Sequence, residues 1–129
     1  MPTLTLSFGK HSLAVELNEG KAAAQLAAAL PLVVDMTRWG DGEYYGTLPV
    51  KIASAEKRRD VFAIGEVGLW PEGNAFCIFF GPTPVSHGDE PRVASPGIPL
   101  GKVVSGAGVF ETSGPRLSIS LSAGPTGRP

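Results

Sequence analysis

The sequence predicts a mainly-β domain: a small closed barrel of about eight short strands with one short helix over residues 19–30. Three observations carry this. Apolar residues alternate with polar ones in several windows of six to eight residues, the period of a half-buried strand. Glycine (17) and proline (12) are abundant for 129 residues, so turns are frequent and elements short. Only one window, rich in alanine, has helical spacing.

The elements follow in order. Leu4, Leu6 and Phe8 alternate with Thr3, Thr5 and Ser7, which makes residues 3–8 a strand with one buried face. Gly9 supplies a turn, and Leu13, Val15 and Leu17 continue as the second arm of a hairpin. Asn18 is placed as the N-cap of the helix. Ala22, Leu26, Ala29 and Leu30 form its apolar stripe and Pro31 ends it; it is expected to pack as a lid over one end or side of the sheet. Residues 32–39 form a strand with Leu32, Val34, Met36 and Arg38 on one face. The turn Gly40-Asp41-Gly42 leads to a strand over 44–52. The charged stretch 56–60 reads as a solvated loop.

Residues 61–64 and 66–70 are strand-like, and 71–74 form a turn. Residues 75–80 are apolar throughout, the pattern of a strand buried on both faces. Residues 81–99 hold five prolines and read as a long loop. Short strands are expected at 101–105 and 109–112. Leu117, Ile119 and Leu121 alternate with serines in a last strand. Closure of such a sheet removes exposed edges. One domain is expected over residues 1–122, with a disordered tail at 123–129.

Composition narrows the function. The formal net charge is −1, from 11 basic and 12 acidic residues, which disfavours nucleic-acid binding. A single cysteine, Cys77, excludes an intrachain disulfide and fits a reducing cytoplasm. The apolar run at 22–34 contains Gln25, is cut by Pro31 and is too short to span a bilayer. His11 and His87 have no spaced partners for a metal, and no Gly-x-Ser-x-Gly elbow occurs. No metal or cofactor is therefore expected, nor a nucleic-acid or membrane partner. Cys77, in an apolar strand, reads as an inert core thiol.

Two stretches carry a family resemblance: RWGDGEYYGTLP at 38–49 and GEVGLWPEGNAFCIFFGPTPVS at 65–86. Together with the hairpin–helix start they resemble the cyclophilin-like family of small prokaryotic proteins, for the most part without assigned function. The resemblance covers roughly residues 3–105. It implies a barrel similar to cyclophilin, a peptidyl-prolyl isomerase, and to parts of amide-hydrolysing enzymes; a shared fold does not by itself transfer an activity.

Prolyl isomerisation needs an apolar grip on the proline ring and a donor near the prolyl nitrogen, to lower a barrier of roughly 18–20 kcal/mol. The Phe-His-Arg and Gly-Ser-Gln-Phe-Phe stretches of cyclophilins are absent, and Arg38 is the one substitute donor. The alternative for Arg38 is an ion pair with Asp41 or Glu43. Trp39, Tyr44, Tyr45, Trp70, Phe76 and Phe79 are candidates to line a pocket, or else to fill the core. Asn74 follows a turn, where it orients a ligand or bonds local backbone.

The leading expectation is a binding module that takes a small molecule or an extended peptide in a groove on the barrel. Arg38, Glu43, Tyr45, Trp70, Asn74 and Phe79 are its expected ligand-binding residues. A divergent prolyl isomerase using Arg38, and an accessory subunit of an amide-hydrolysing enzyme, are the alternatives.

Overall fold

Nine strands and one α-helix make up the chain in the computed structural model, which describes residues 3–124. In chain order these are β1 (Thr3–Phe8), β2 (His11–Leu17), α1 (Lys21–Ala29), β3 (Leu32–Trp39), β4 (Glu43–Thr47), β5 (Arg59–Val61), β6 (Glu66–Trp70), β7 (Ala75–Phe79), β8 (Arg92–Val103) and β9 (Arg116–Ala123). Short 3-10 segments occupy Pro71–Gly73 and Ala107–Thr112.

All pairings are antiparallel. The order is β2-β1-β9-β3-β4-β7-β6-β8, and β2 pairs with β8 to close an eight-stranded barrel; β5 adds to the outer edge of β8. The closing seam runs from Val15 opposite Val103 to Leu17 opposite Gly101. At Gly101 a Cβ would stand 2.2 Å from the Glu16 carbonyl oxygen, so only glycine lets the two strands meet there. Gly46 does the same between β4 and β3, where a Cβ would lie 2.2 Å from the Asp35 carbonyl.

The alternating residues turn inward as their periodicity predicts. Leu4, Leu6, Phe8, Val15, Leu17, Leu32, Val34, Met36, Ile119 and Leu121 are all buried in one core. Helix α1 contributes Ala22, Ala23 and Leu26 to it, covering the end where β2 leaves the barrel and β3 enters. The opposite end is filled by Phe110 from the 3-10 turn. Its ring lies 5.4 Å from Phe8, 6.1 Å from Tyr44 and 6.0 Å from Phe80.

Strand β7 is buried on both faces, as its unbroken apolar run implies. Phe76 and Ile78 point into the barrel, while Ala75, Cys77 and Phe79 form a second, outer cluster under Phe62. Phe62 and Phe79 stack at 4.3 Å between ring centroids.

Several expectations are corrected. Residues 81–99 are not all loop: β8 starts at Arg92, and a register shift between Val67 and Gly68 accommodates it, with Pro99 opposite Gly68. A bulge is where a strand tolerates a residue without an N–H. Residues 109–112 belong to a 3-10 turn rather than a strand. Strand β4 ends at Thr47, and 48–52 run on without ladder pairing. Asn18 is not the N-cap. Gly20 takes that position, with Asn18 Oδ1 accepting from its N–H at 2.9 Å. A Glu56 oxygen accepts from the Ala22 N–H at 2.6 Å. Burial works to raise the Glu56 carboxyl, but the Ala22 N–H and the Ser54 hydroxyl outweigh it and hold it below the usual range.

The charged stretch at 56–60 is therefore not simply solvated: Glu56 caps the helix and β5 begins at Arg59. Ala123 is no tail residue; it pairs with Leu4 in β9, and the Gly124 N–H donates to the Thr3 carbonyl at 3.0 Å. Residues 125–129, the rest of the expected tail, lie outside the described residues. Among the described residues no helix is long and apolar enough to cross a membrane.

Candidate functional site

A groove of about 310 Å³ runs along the outer wall of the barrel, lined by Trp39, Glu43, Tyr45, Trp70, Val93, Ala94 and Ser95. Strand parity explains why these side chains meet. Glu43 and Tyr45 are two apart on β4 and share its outer face. Trp39, opposite Glu43 on β3, lies beside them. Tyr45 sits opposite Cys77 and Glu43 opposite Phe79 on β7. Across β7, Trp70 closes the outer row opposite Ala75. The start of β8 supplies the remaining wall.

The groove is mostly apolar, and Glu43 is the one carboxyl among its lining residues. Tyr45 and Trp70 are 38% and 37% exposed, whereas Glu43 is 6% exposed. Its Oε1 is buried without a hydrogen-bond partner. Burial drives the Glu43 carboxyl up from 4.5 to about 7, with the thiol of Cys77 offsetting part of the rise. Burial, and the neighbouring Glu43, push Cys77 well above the ordinary thiol range; it stays a protonated thiol facing the carboxyl, as its inert reading implies. The Trp70 ring is seated against Gly73, where a Cβ would fall 2.7 Å from the ring.

The structure therefore brings together Glu43, Tyr45 and Trp70 with Trp39, a candidate pocket aromatic that is not among the expected ligand-binding residues. Phe79 lies beneath the groove, sealed under Phe62. Tyr44 and Phe76 point into the barrel core. Val93, Ala94 and Ser95 escape sequence reasoning, because the prolines around them disguise the start of β8.

Arg38 sits elsewhere. It lies on the inner face of β3 at the end filled by Phe110. Its Nε donates to the Gly40 carbonyl at 2.9 Å and its Nη1 to the carbonyls of Phe110 and Glu111, each at 3.0 Å. The guanidinium lies over Phe80, 5.0 Å from the ring centroid, and 3.6 Å from Asp41. Of the two partners considered for it, Asp41 is the one it meets. A depression of about 520 Å³ opens there, with Arg38, Asp41, Asp89 and Glu111 on its rim. No group of three or more His, Cys, Asp or Glu side chains among the described residues is placed to hold a metal ion.

Asn74 also lies outside the groove. It stands in the left-handed region, at φ 49°. Its Oδ1 accepts from Ile52 N–H at 3.1 Å, and its Nδ2 donates to the carbonyls of Val50 and Leu48 at 2.8 and 3.4 Å. These bonds hold the segment after β4, which has no ladder of its own. Asn74→Ala is expected to lower stability by about 2 kcal/mol while leaving the groove's tryptophan fluorescence unchanged. Urea unfolding of the two proteins checks this, and a difference below about 0.5 kcal/mol would contradict it.

The family model described as Cyclophilin-like matches residues 2–120. This chain belongs to the cyclophilin-like family. The cyclophilin-like barrel is also similar to the solution structure of a hypothetical protein from Archaeoglobus fulgidus. The two share 31% sequence identity over 95% of each chain, with a TM-score of 0.79. No curated protein matches. The family carries the fold, and the groove's chemistry must be argued from its own residues.

Proposed function

We propose that this cyclophilin-like barrel is a binding domain that holds a small organic molecule in the groove of its outer wall. The observation that carries the reading is Glu43, whose buried Oε1 has no partner within the protein. An unsatisfied buried polar atom costs about 1–3 kcal/mol, more when it is charged. Such a cost is tolerated where a ligand completes the bond, and perturbed carboxyls concentrate at such sites. The aromatic walls add apolar area, and the volume is at the small end of ligand pockets. The single, buried thiol agrees with a reducing cytoplasm as the working compartment.

Arg38 contributes nothing to this groove, since it faces the interior and its donors serve carbonyls of the barrel end. The isomerase alternative, which needs a free donor beside an apolar pocket, draws no support from that arrangement. Nothing observed favours the accessory-subunit alternative.

Fragment mapping by NMR tests the proposal. Trp39 and Trp70 are the only tryptophans of the chain, so their indole N–H signals report directly on the groove. Binding fragments are expected to shift both indole signals and the amides of Tyr45 and Ser95 together. If the fragments that bind shift the barrel end around Arg38 and Glu111 instead, the groove is not the site.

A further inference from the structure

The groove contains one ionisable carboxyl and nothing to neutralise it. None of its lining residues is a lysine, arginine or histidine. The arginines on nearby elements are committed elsewhere: Arg58 to Glu72 at 2.6 Å, Arg59 to Glu66 at 2.5 Å, Arg92 to Glu90 at 3.1 Å, and Arg38 to the carbonyls of Gly40, Phe110 and Glu111 at the barrel end. The titratable groups that do face Glu43 are Tyr45, on its own strand, and Cys77, from β7. Trp39 on β3, Trp70 on β6 and Val93–Ser95 on β8 bring no charge. Aromatic faces attract cations through their quadrupoles, most strongly when water is excluded, and aromatic cages are a known way to hold ammonium groups. An anion entering this groove would meet a carboxylate with no counter-charge; a cation would meet both the carboxylate and the ring faces.

We propose that the ligand of this groove is a small organic cation, an ammonium-bearing molecule whose head pairs with the Glu43 carboxylate against the faces of Tyr45 and Trp70. This rests on the groove being the ligand site. The cation replaces the hydration that burial denies the carboxylate, so binding and ionisation of Glu43 are coupled. A carboxyl titrating near 7 goes from mostly protonated at pH 6 to mostly ionised at pH 8. Affinity for a cation is then expected to rise about tenfold over that range.

The test uses three probes of one shape and different charge, namely benzylammonium, benzyl alcohol and benzoate, with quenching of Trp39 and Trp70 fluorescence as the readout. Benzylammonium is expected to bind saturably, about tenfold more tightly at pH 8 than at pH 6, and benzoate not to bind. Glu43→Gln is expected to weaken benzylammonium at least about fivefold at pH 8 and to abolish the pH dependence. If benzyl alcohol binds as tightly as benzylammonium, or if Glu43→Gln leaves benzylammonium affinity unchanged, the cation proposal is overturned while the groove remains a ligand site. If none of the three perturbs either tryptophan at millimolar concentration, the proposal and the groove reading fall together.

Discussion

Glu43→Gln is expected to flatten the pH dependence of unfolding between pH 5 and pH 8. In the native barrel burial raises the Glu43 carboxyl from 4.5 to about 7; in the unfolded chain it returns to its ordinary value. Below pH 4.5 the carboxyl is protonated in both states and folding is unpenalised. As pH rises towards 7 the unfolded chain releases its proton while the native state keeps it, so stability falls. Above 7 the loss is complete, at about 3 kcal/mol. Glutamine has nearly the same shape and never ionises, so the variant escapes this loss. Urea unfolding at pH 5 and pH 8 is expected to show the variant gaining about 2.5 kcal/mol on the wild type between the two, part of the loss being present already at pH 5. The carboxylates held low, Glu56, Glu72 and Glu90, titrate below this window, and both proteins share them. Equal slopes for the two proteins would mean that Glu43 is solvated.

The second large effect belongs to the barrel end. Phe110 is fully buried and touches the rings of Phe8, Tyr44 and Phe80. Its carbonyl and that of Glu111 also receive the Arg38 guanidinium, and the Tyr44 hydroxyl donates to the Gly114 carbonyl just beyond. Phe110→Ala removes a full aromatic side chain where rigid strand ends limit collapse, and is expected to cost about 3–5 kcal/mol. That is a large part of the stability of a domain this size. A loss below about 1 kcal/mol would show that the 3-10 turn is not the plug of this end. The groove lies on the outer wall, so its indole NMR signals are expected to persist in whatever fraction of the variant remains folded.

The interior of the barrel was legible in the sequence because strand periodicity is a local signal. Leu4, Leu6 and Phe8, or Leu117, Ile119 and Leu121, declare their faces without reference to any partner. The double burial of β7 was legible for the same reason. The helix start was not, since its stabilising acceptor, Glu56, comes 34 residues after the N–H it receives. Nor was the first part of β8, whose Pro96 and Pro99 look like loop until the register shift at Val67 and Gly68 is known; only its end, within the strand expected at 101–105, was legible.

The site divided along similar lines. Glu43, Tyr45 and Trp70 could be named from the sequence as an acid and aromatics near strand ends, but so could Phe79, and which aromatics face outward was not visible until the strands were paired. Parity placed Arg38 correctly on the core face of β3, but its partners, the carbonyls of Phe110 and Glu111, lie more than seventy positions away. No local pattern announces that a guanidinium will be used to tie down a turn. Asn74 has the same history: its bonding capacity was evident, and the unpaired segment that takes it up was not. The wall formed by Val93, Ala94 and Ser95 depends wholly on β8 beginning at Arg92.

Everything proposed for the groove turns on the state of one carboxyl. Selective 13C labelling of glutamate, with a pH titration of the side-chain carboxyl signals by NMR and Glu43→Gln for assignment, measures that state directly. The Glu43 signal is expected to titrate near 7, and lower in the presence of benzylammonium. A Glu43 midpoint near 4.5, unmoved by the ligand, would contradict the buried carboxyl with an unsatisfied Oε1 on which the binding groove is built.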